Sequence, residues 1–231
     1  MYRYPTSLVE GTFIKRYKRF LADMMLPNGQ IVTAHTTNTG SLKSCLVPGA
    51  PVLLTPNDDP KRKTKFTWES IRIGNTWVGV NTSVPNKLIY NALKQKSIPG
   101  LEGFDRVRAE VKQGKSRLDI LLENDVEKMW LEIKNVTYRE GDAALFPDAP
   151  TARGLKHLEE LIALRKQGFR AGMIFVVGRT DVQYFAPARH IDPGYARMLR
   201  EALNAGVEIY PLVAHYDRQG ARISGLLPFD I

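Results

Sequence analysis

Through most of the first eighty residues apolar and polar positions alternate with a period of two, the mark of strands with one buried face. VEGTFIKRY (9–17) and FLADMML (20–26) run into QIVTAH (30–35) through Asn28 and Gly29, a pair that predicts a tight hairpin. VPGAPVLLT (47–55) is a further strand, NDDPKRKTK (57–65) a charged loop, and FTWESIRIGNTWVGVN (66–81) supplies two more strands. Five or six strands without a long helix predict a small OB-like β-barrel, with an irregular open sheet as the alternative.

Near residue 83 the period lengthens. NKLIYNALKQKS carries Leu88, Ile89, Ala92 and Leu93 at helical spacing, and Asn86 reads as its N-cap. Strands RVRAEVK, RLDILLE and KMWLEIKNVT follow, then GDAALFPDAP as a loop. A long helix starts near Thr151, and AGMIFVVG reads as a buried strand. PGYARMLREALNAG is a helix closed by glycine, and VEIYPLVAHY is a last strand. The chain thus divides into an all-β unit over 1–82 and an α/β unit over 83–231.

The strand WLEIKNVT (130–137) places Trp130, Glu132, Lys134 and Val136 on one face and Leu131 and Ile133 on the other. A carboxylate and an amine so placed in an apolar strand call for a reason, although a solvated ion pair is the ordinary one. The two preceding strands supply another. If Gly114 and Lys115 make a two-residue turn, Gln113 faces Ser116, Lys112 faces Arg117 and Glu110 faces Asp119. Facing carboxylates repel unless a cation lies between them. Asp119 followed by Glu132-x-Lys134 on the next strand is the arrangement of metal-dependent phosphodiesterases of the PD-(D/E)xK type, a restriction-endonuclease-like α/β fold. Mg²⁺, or Mn²⁺ in its place, takes a few carboxylate oxygens and leaves room for water and phosphate. On this reading Glu110, Asp119 and Glu132 are the metal ligands, with Lys134 positioning the attacking water.

The formal charge of +9 favours a polyanionic partner, nucleic acid ahead of a membrane surface. No apolar run approaches a bilayer span and the first residues lack a signal-peptide core, so a cytoplasmic protein is expected. The single cysteine, Cys45, excludes a disulfide framework. Two basic runs interleave with aromatics: Lys15, Arg16, Tyr17, Lys18, Arg19 and Phe20, then Lys61, Arg62, Lys63, Lys65, Phe66 and Trp68. Basic grooves with aromatic platforms are how OB-like domains hold single strands. Core packing is the competing account of each aromatic. On the long helix Arg153, His157 and Glu160 share a side with Lys156 beside them, while Leu155, Leu158 and Ile162 form the apolar stripe. That polar side is a solvated face or, through Arg153 and Lys156, a phosphate contact. Asp148 reads as a turn residue.

Several segments together resemble the sugar fermentation stimulation protein A family. They are LVEGTFIKRYKRFLAD (8–23), NTGS (38–41), NDDPKRKTKFTWE (57–69), VGVNTSVPN (78–86), EVKQGKSRLDILL (110–122), LEIKNVT (131–137), ALFPDAPTARGLKHLEEL (144–161) and ARHIDPGYA (188–196). The resemblance implies an OB-like domain followed by a PD-(D/E)xK nuclease-like domain, nucleic-acid binding, and a link to regulation of sugar (maltose) utilisation. It places Asp119, Glu132 and Lys134 on the nuclease-like motif, and it raises Asn38 and Ser41 from an ordinary turn to a phosphate-cradle candidate. Two departures stand out: Leu118 occupies the place of the motif's proline, and the first helix has no acidic residue. The expectation is therefore a metal-dependent nuclease acting on DNA ahead of RNA, or a non-enzymatic DNA-binding transcriptional regulator on the same scaffold.

Overall fold

The computed structural model describes residues 1–113 and 116–231. A two-residue strand, β1 (Tyr2–Arg3), opens the chain, and β2 (Val9–Tyr17), β3 (Leu21–Met25), β4 (Ile31–His35), β5 (Pro51–Pro56) and β6 (Phe66–Ile73) follow. These five pair in the order β4-β3-β2-β5-β6, and a parallel pairing of β4 with β6 shuts the ring. Closure removes both free edges, so the strands form an OB barrel and not an open sheet. Gly29 carries the β3–β4 hairpin at φ 82°, a conformation that costs glycine nothing. Phe13, Met24, Val52, Leu54 and Trp68 fill the barrel. Trp68 stacks on Phe13 at 5.2 Å and is fully buried, so it is core and not a stacking platform for bases.

Strand β7 (Thr76–Gly79) pairs with β6 and leads into α1 (Ser83–Lys94). The helix begins three residues before Asn86. Its first backbone N–H is capped from Asn81, whose Oδ1 accepts from Ser83 N at 3.0 Å. Next come β8 (Arg106–Gln113), β9 (Ser116–Glu123), β10 (Lys128–Val136), β11 (Tyr138–Glu140), β12 (Ala143–Phe146) and α2 (Ala152–Lys166). The chain ends with β13 (Arg170–Val177), β14 (Tyr184–Pro187), α3 (Pro193–Asn204), β15 (Glu208–Tyr216) and β16 (Gly220–Leu226). The Gly114–Lys115 turn lies outside the described residues.

Seven strands form one sheet in the order β1-β16-β15-β13-β10-β9-β8, with β10, β13 and β15 mutually parallel. Helix α1 packs on one face, over Leu131 and Ile133. Helices α2 and α3 pack on the other, over Trp130 and Val136. The two faces of β10 are therefore those read from its alternation. Segment 141–150, expected as a loop, contains β12, which pairs with β11 and β14 in a small separate sheet. Four residues between Asp142 and Pro147 are too few to display a period. Strand β1 also sits elsewhere than its place in the chain suggests, completing the large sheet beside β16.

The two units are tied at several points. Gly79 N donates to Gly178 O at 2.9 Å, and a Cβ at Gly79 would fall inside the Tyr216 ring. Arg179, 1% exposed, donates to Thr137 O at 2.9 Å and to Ser44 Oγ at 3.3 Å while its other nitrogens hold Asp181. Among the described residues no helix is long and apolar enough to cross a membrane.

Candidate active site

Strand β10 lies between β9 and β13, covered by helices on both faces, so any polar side chain on it must be satisfied by protein groups. Glu132 is 3% exposed. Its Oε1 accepts from Lys134 Nζ at 2.5 Å and from His157 Nδ1 of α2. Its Oε2 is buried and has no hydrogen-bond partner among the described residues. Burial pushes the carboxyl up, but the His157 hydrogen bond and the Lys134 charge outweigh it and hold the group below the usual carboxylate range.

Asp119 sits on β9 where the ladder with β10 ends, one position past the pairing of Ile120 with Leu131. Its Oδ2 accepts from Ile133 N at 2.8 Å, and its Oδ1 accepts from Asn86 Nδ2 of α1 at 2.9 Å. Burial, and after it the charge of Glu132, pushes this carboxyl up to about 6. The charge of Glu132 opposes ionisation of Asp119, and Glu132 keeps one oxygen unpartnered, an arrangement that fits a divalent cation as an added counter-charge. Lys134, 14% exposed at its side chain, brings the amine to the same point.

Glu110 does not join them. The β8–β9 ladder pairs Ala109 with Ile120 and Val111 with Leu118, and between these Glu110 takes φ 53°. That left-handed kink turns its carboxylate outward, 65% exposed, to Arg117 Nη1 at 3.1 Å. The expected third ligand is thus an exposed ion-pair partner, and among the described residues no three His, Cys, Asp or Glu side chains are grouped to hold a metal ion. The acidic pair is completed by a lysine and a histidine.

Beside this pair opens a cleft of about 520 Å³ between the two units. Arg19 and residues 37–40 line it from the barrel, Thr82 and Asn86 from the start of α1, and Ile133, Lys134 and Asn135 from β10. Segment 145–153, ending in Arg153, forms the remaining wall. Arg19 and Arg153 therefore stand on different walls of the cleft that Lys134 also lines.

The basic residues read from the sequence divide by their partners. Arg16 is half-buried, and its guanidinium donates to the carbonyls of Asn38, Gly40, Ser41 and Arg19 at 2.6–3.2 Å. It is a structural clamp, and a guanidinium so occupied has little left for a phosphate. Part of the Asn38–Ser41 loop is likewise occupied. Gly40 N is taken by Asn38 Oδ1 at 2.8 Å, and Leu42 N by Asp148 Oδ2 at 2.9 Å. Tyr17 is half-buried with its hydroxyl on Asp23 at 2.9 Å. Lys15, Lys18 and Arg19 are exposed at the β2–β3 hairpin, and of these Arg19 reaches the cleft. Lys61, Arg62 and Lys63 are exposed in the loop before β6 and contribute nothing to the cleft lining. Lys156 is exposed on α2, while Arg153, one turn earlier, lines the cleft.

Three residues escaped the sequence reading. Asn86, which reads as a cap from spacing, lies in the first turn of a helix that starts at Ser83 and points its amide at Asp119. His157 was grouped with the polar face of α2, but Gly154, His157, Leu161 and Leu164 follow one another at helical spacing and all are buried. Asp148 latches the segment after β12 to the barrel through Leu42 N, and the missing Cβ of Gly40 makes room for it.

Comparison with known proteins agrees with this architecture. A sequence model described as the SfsA N-terminal OB domain matches residues 14–80, and one described as the sugar fermentation stimulation protein RE domain matches residues 83–220. A sugar fermentation stimulation protein homolog of Geotalea uraniireducens is 48% identical over 224 residues, covering 96% of this chain and 97% of that one. The homolog of Geobacter sulfurreducens is 46% identical over 225 residues, covering 97% of each. Among solved structures, that of Pyrococcus furiosus SfsA in complex with Ca²⁺ superposes with a TM-score of 0.91 at 31% identity, over 100% of this chain and 98% of that one.

Proposed function

Since this chain belongs to the sugar fermentation stimulation protein family, we propose that it binds nucleic acid, DNA ahead of RNA, and hydrolyses phosphodiester bonds with a divalent metal, Mg²⁺ or Mn²⁺. The observation that carries this reading is half-buried Asp119 next to buried Glu132 on adjacent strands, with Glu132 Oε2 unpartnered and Lys134 beside the cleft. That the Pyrococcus furiosus relative is solved in complex with Ca²⁺ supports a divalent site of oxygen ligands.

Asp119 and Glu132 would hold the metal, which when bound supplies a lowered water pKa and charge neutralisation at the phosphate. The chain's own residues do the rest. Asn86 and the Ile133 N–H fix Asp119 in one orientation. Lys134 carries positive charge to the cleft, where it stabilises negative charge developing on the phosphate oxygens. Arg19 and Arg153, on opposite walls, bind flanking phosphates and hold the strand across the acidic pair.

The test is cleavage of end-labelled single- and double-stranded DNA with Mg²⁺ or Mn²⁺, comparing the wild type with Asp119→Ala. Metal-dependent cleavage lost in the variant, with strand binding kept, is the expected result. Equal cleavage by both removes Asp119 from the chemistry. One observation favours a second reading, a non-enzymatic DNA-binding regulator: the Lys134 ammonium already pairs with Glu132, and His157 adds a hydrogen bond to the same oxygen. It predicts salt-dependent binding and no cleavage under either metal.

A further inference from the structure

Resting on that nuclease reading, we propose that His157 is a positioning residue that locks the Glu132 carboxylate so that Oε2 alone is presented to the divalent cation. The imidazole is 4% exposed and both of its nitrogens are engaged. Arg153 Nε, a donor only, approaches Nε2 at 3.5 Å, so Nε2 accepts and the ring proton belongs on Nδ1. Nδ1–H then donates to Glu132 Oε1, the same oxygen that accepts from Lys134 Nζ. The 3.1 Å approach of Lys134 Nζ to Nδ1 follows from two donors sharing that oxygen.

Two donors on Oε1 and none on Oε2 fix the rotation of the carboxylate about its last bond. Without His157 the lysine alone would remain, and an ammonium on a flexible stem is satisfied by either oxygen. The ring is held in turn by its helix, where Leu158, Leu161 and Leu164 are buried against the sheet. Its far side meets Arg153, which lines the cleft, so the same imidazole links a cleft-facing guanidinium to the carboxylate.

The experiment is isothermal titration of Mn²⁺ into the wild type, His157→Ala and His157→Asn, with a thermal melt of each in the absence of metal. Asparagine can place an amide N–H close to the position of Nδ1–H; alanine cannot. Wild type binds Mn²⁺, His157→Ala loses about 10–100-fold in affinity, as loss of a ligand's orienting partner does elsewhere, and His157→Asn recovers most of it. DNA cleavage follows the same order. A purely structural histidine would lower the melting temperature without this rescue. The inference is overturned if folded His157→Ala binds Mn²⁺ as tightly as wild type, or if both variants lose affinity equally. Should His157→Ala fail to melt cooperatively, His157→Gln replaces it as the non-donating variant, since its amide reaches the Nε2 position. A wild type that binds no Mn²⁺ sinks the metal reading and this inference together; undiminished binding in the variants sinks this inference alone.

Discussion

Glu69 on β6 and Glu132 on β10 are both buried, 4% and 3% exposed, one in each unit, and they are solved by opposite means. Glu69 meets neutral donors on both oxygens, Thr55 Oγ1 and Asn81 Nδ2, each at 2.8 Å. Burial is its dominant influence, and the carboxyl is pushed up. Glu132 meets a lysine and a histidine on one oxygen and nothing on the other, and it is held down. The first is a closed account, and its job is to tie the barrel wall to the residue that caps α1. The second keeps one buried oxygen without a partner, next to Lys134, which lines the cleft. A fully hydrogen-bonded buried carboxylate stabilises the fold, whereas Glu132 keeps one oxygen unpartnered, which is what the proposed metal role requires.

The largest effect should come from Glu132→Ala, which takes divalent-dependent cleavage to background and removes the heat of Mn²⁺ binding, whereas folded Glu69→Ala keeps both. Loss of cleavage in folded Glu69→Ala would break the comparison. Urea denaturation gives the converse measurement. Glu69→Ala strands Asn81 Nδ2 and the Thr55 hydroxyl, and each orphaned group costs about 1–3 kcal/mol.

The two arginines extend the contrast. Arg16→Ala gives up the clamp on the 38–41 loop and lowers stability by about 1–3 kcal/mol. Arg153→Ala gives up a single long contact, Nε to His157 Nε2 at 3.5 Å, and costs less, about 0.5–1.5 kcal/mol. It weakens DNA binding and reduces the slope of log K against log salt by roughly 0.7–0.9, one phosphate contact. Denaturation and fluorescence anisotropy over a salt series separate the two.

The smallest effect is one of pH. Because the folded-state pKa of Glu69 is raised, its contribution to stability is present below the ordinary carboxylate range and is lost as pH rises through the raised value. Glu69→Gln carries no such loss. Its melting temperature should gain on wild type as pH is raised from acid to neutral, and a gap that stays constant or narrows would contradict the raised pKa.

Much of the fold could be read from the chain. Strand β2 runs over the same Val9–Tyr17 as its alternation predicts, and α2 begins after Thr151, whose Oγ1 accepts from Gly154 N. Strands β1 and β12 could not be read, since two and four residues carry no measurable period. The site was half legible. Asp119, Glu132 and Lys134 lie together because alternation and strand pairing are local rules. Glu110 was misplaced because a single residue at positive φ redirects a side chain without altering the pattern of its neighbours. Trp68 is core, the account weighed for each aromatic, while Arg16 was misread because a basic run looks the same whether its members face solvent or protein.

The sequence by itself determined an all-β unit followed by an α/β unit, the longer elements such as β2 and α2, and the placing of Asp119 and Glu132 on adjacent strands with Lys134 beside Glu132, because backbone geometry converts a period in the chain into a face in space. Only the tertiary structure decided who satisfies that pair. Asn86 reaches Asp119 across 33 positions, and His157 reaches Glu132 across 25. Such partners are chosen by which distant element packs over the strand. Hydrogen-bond satisfaction in a buried site is a property of neighbours in space, and no local pattern records them.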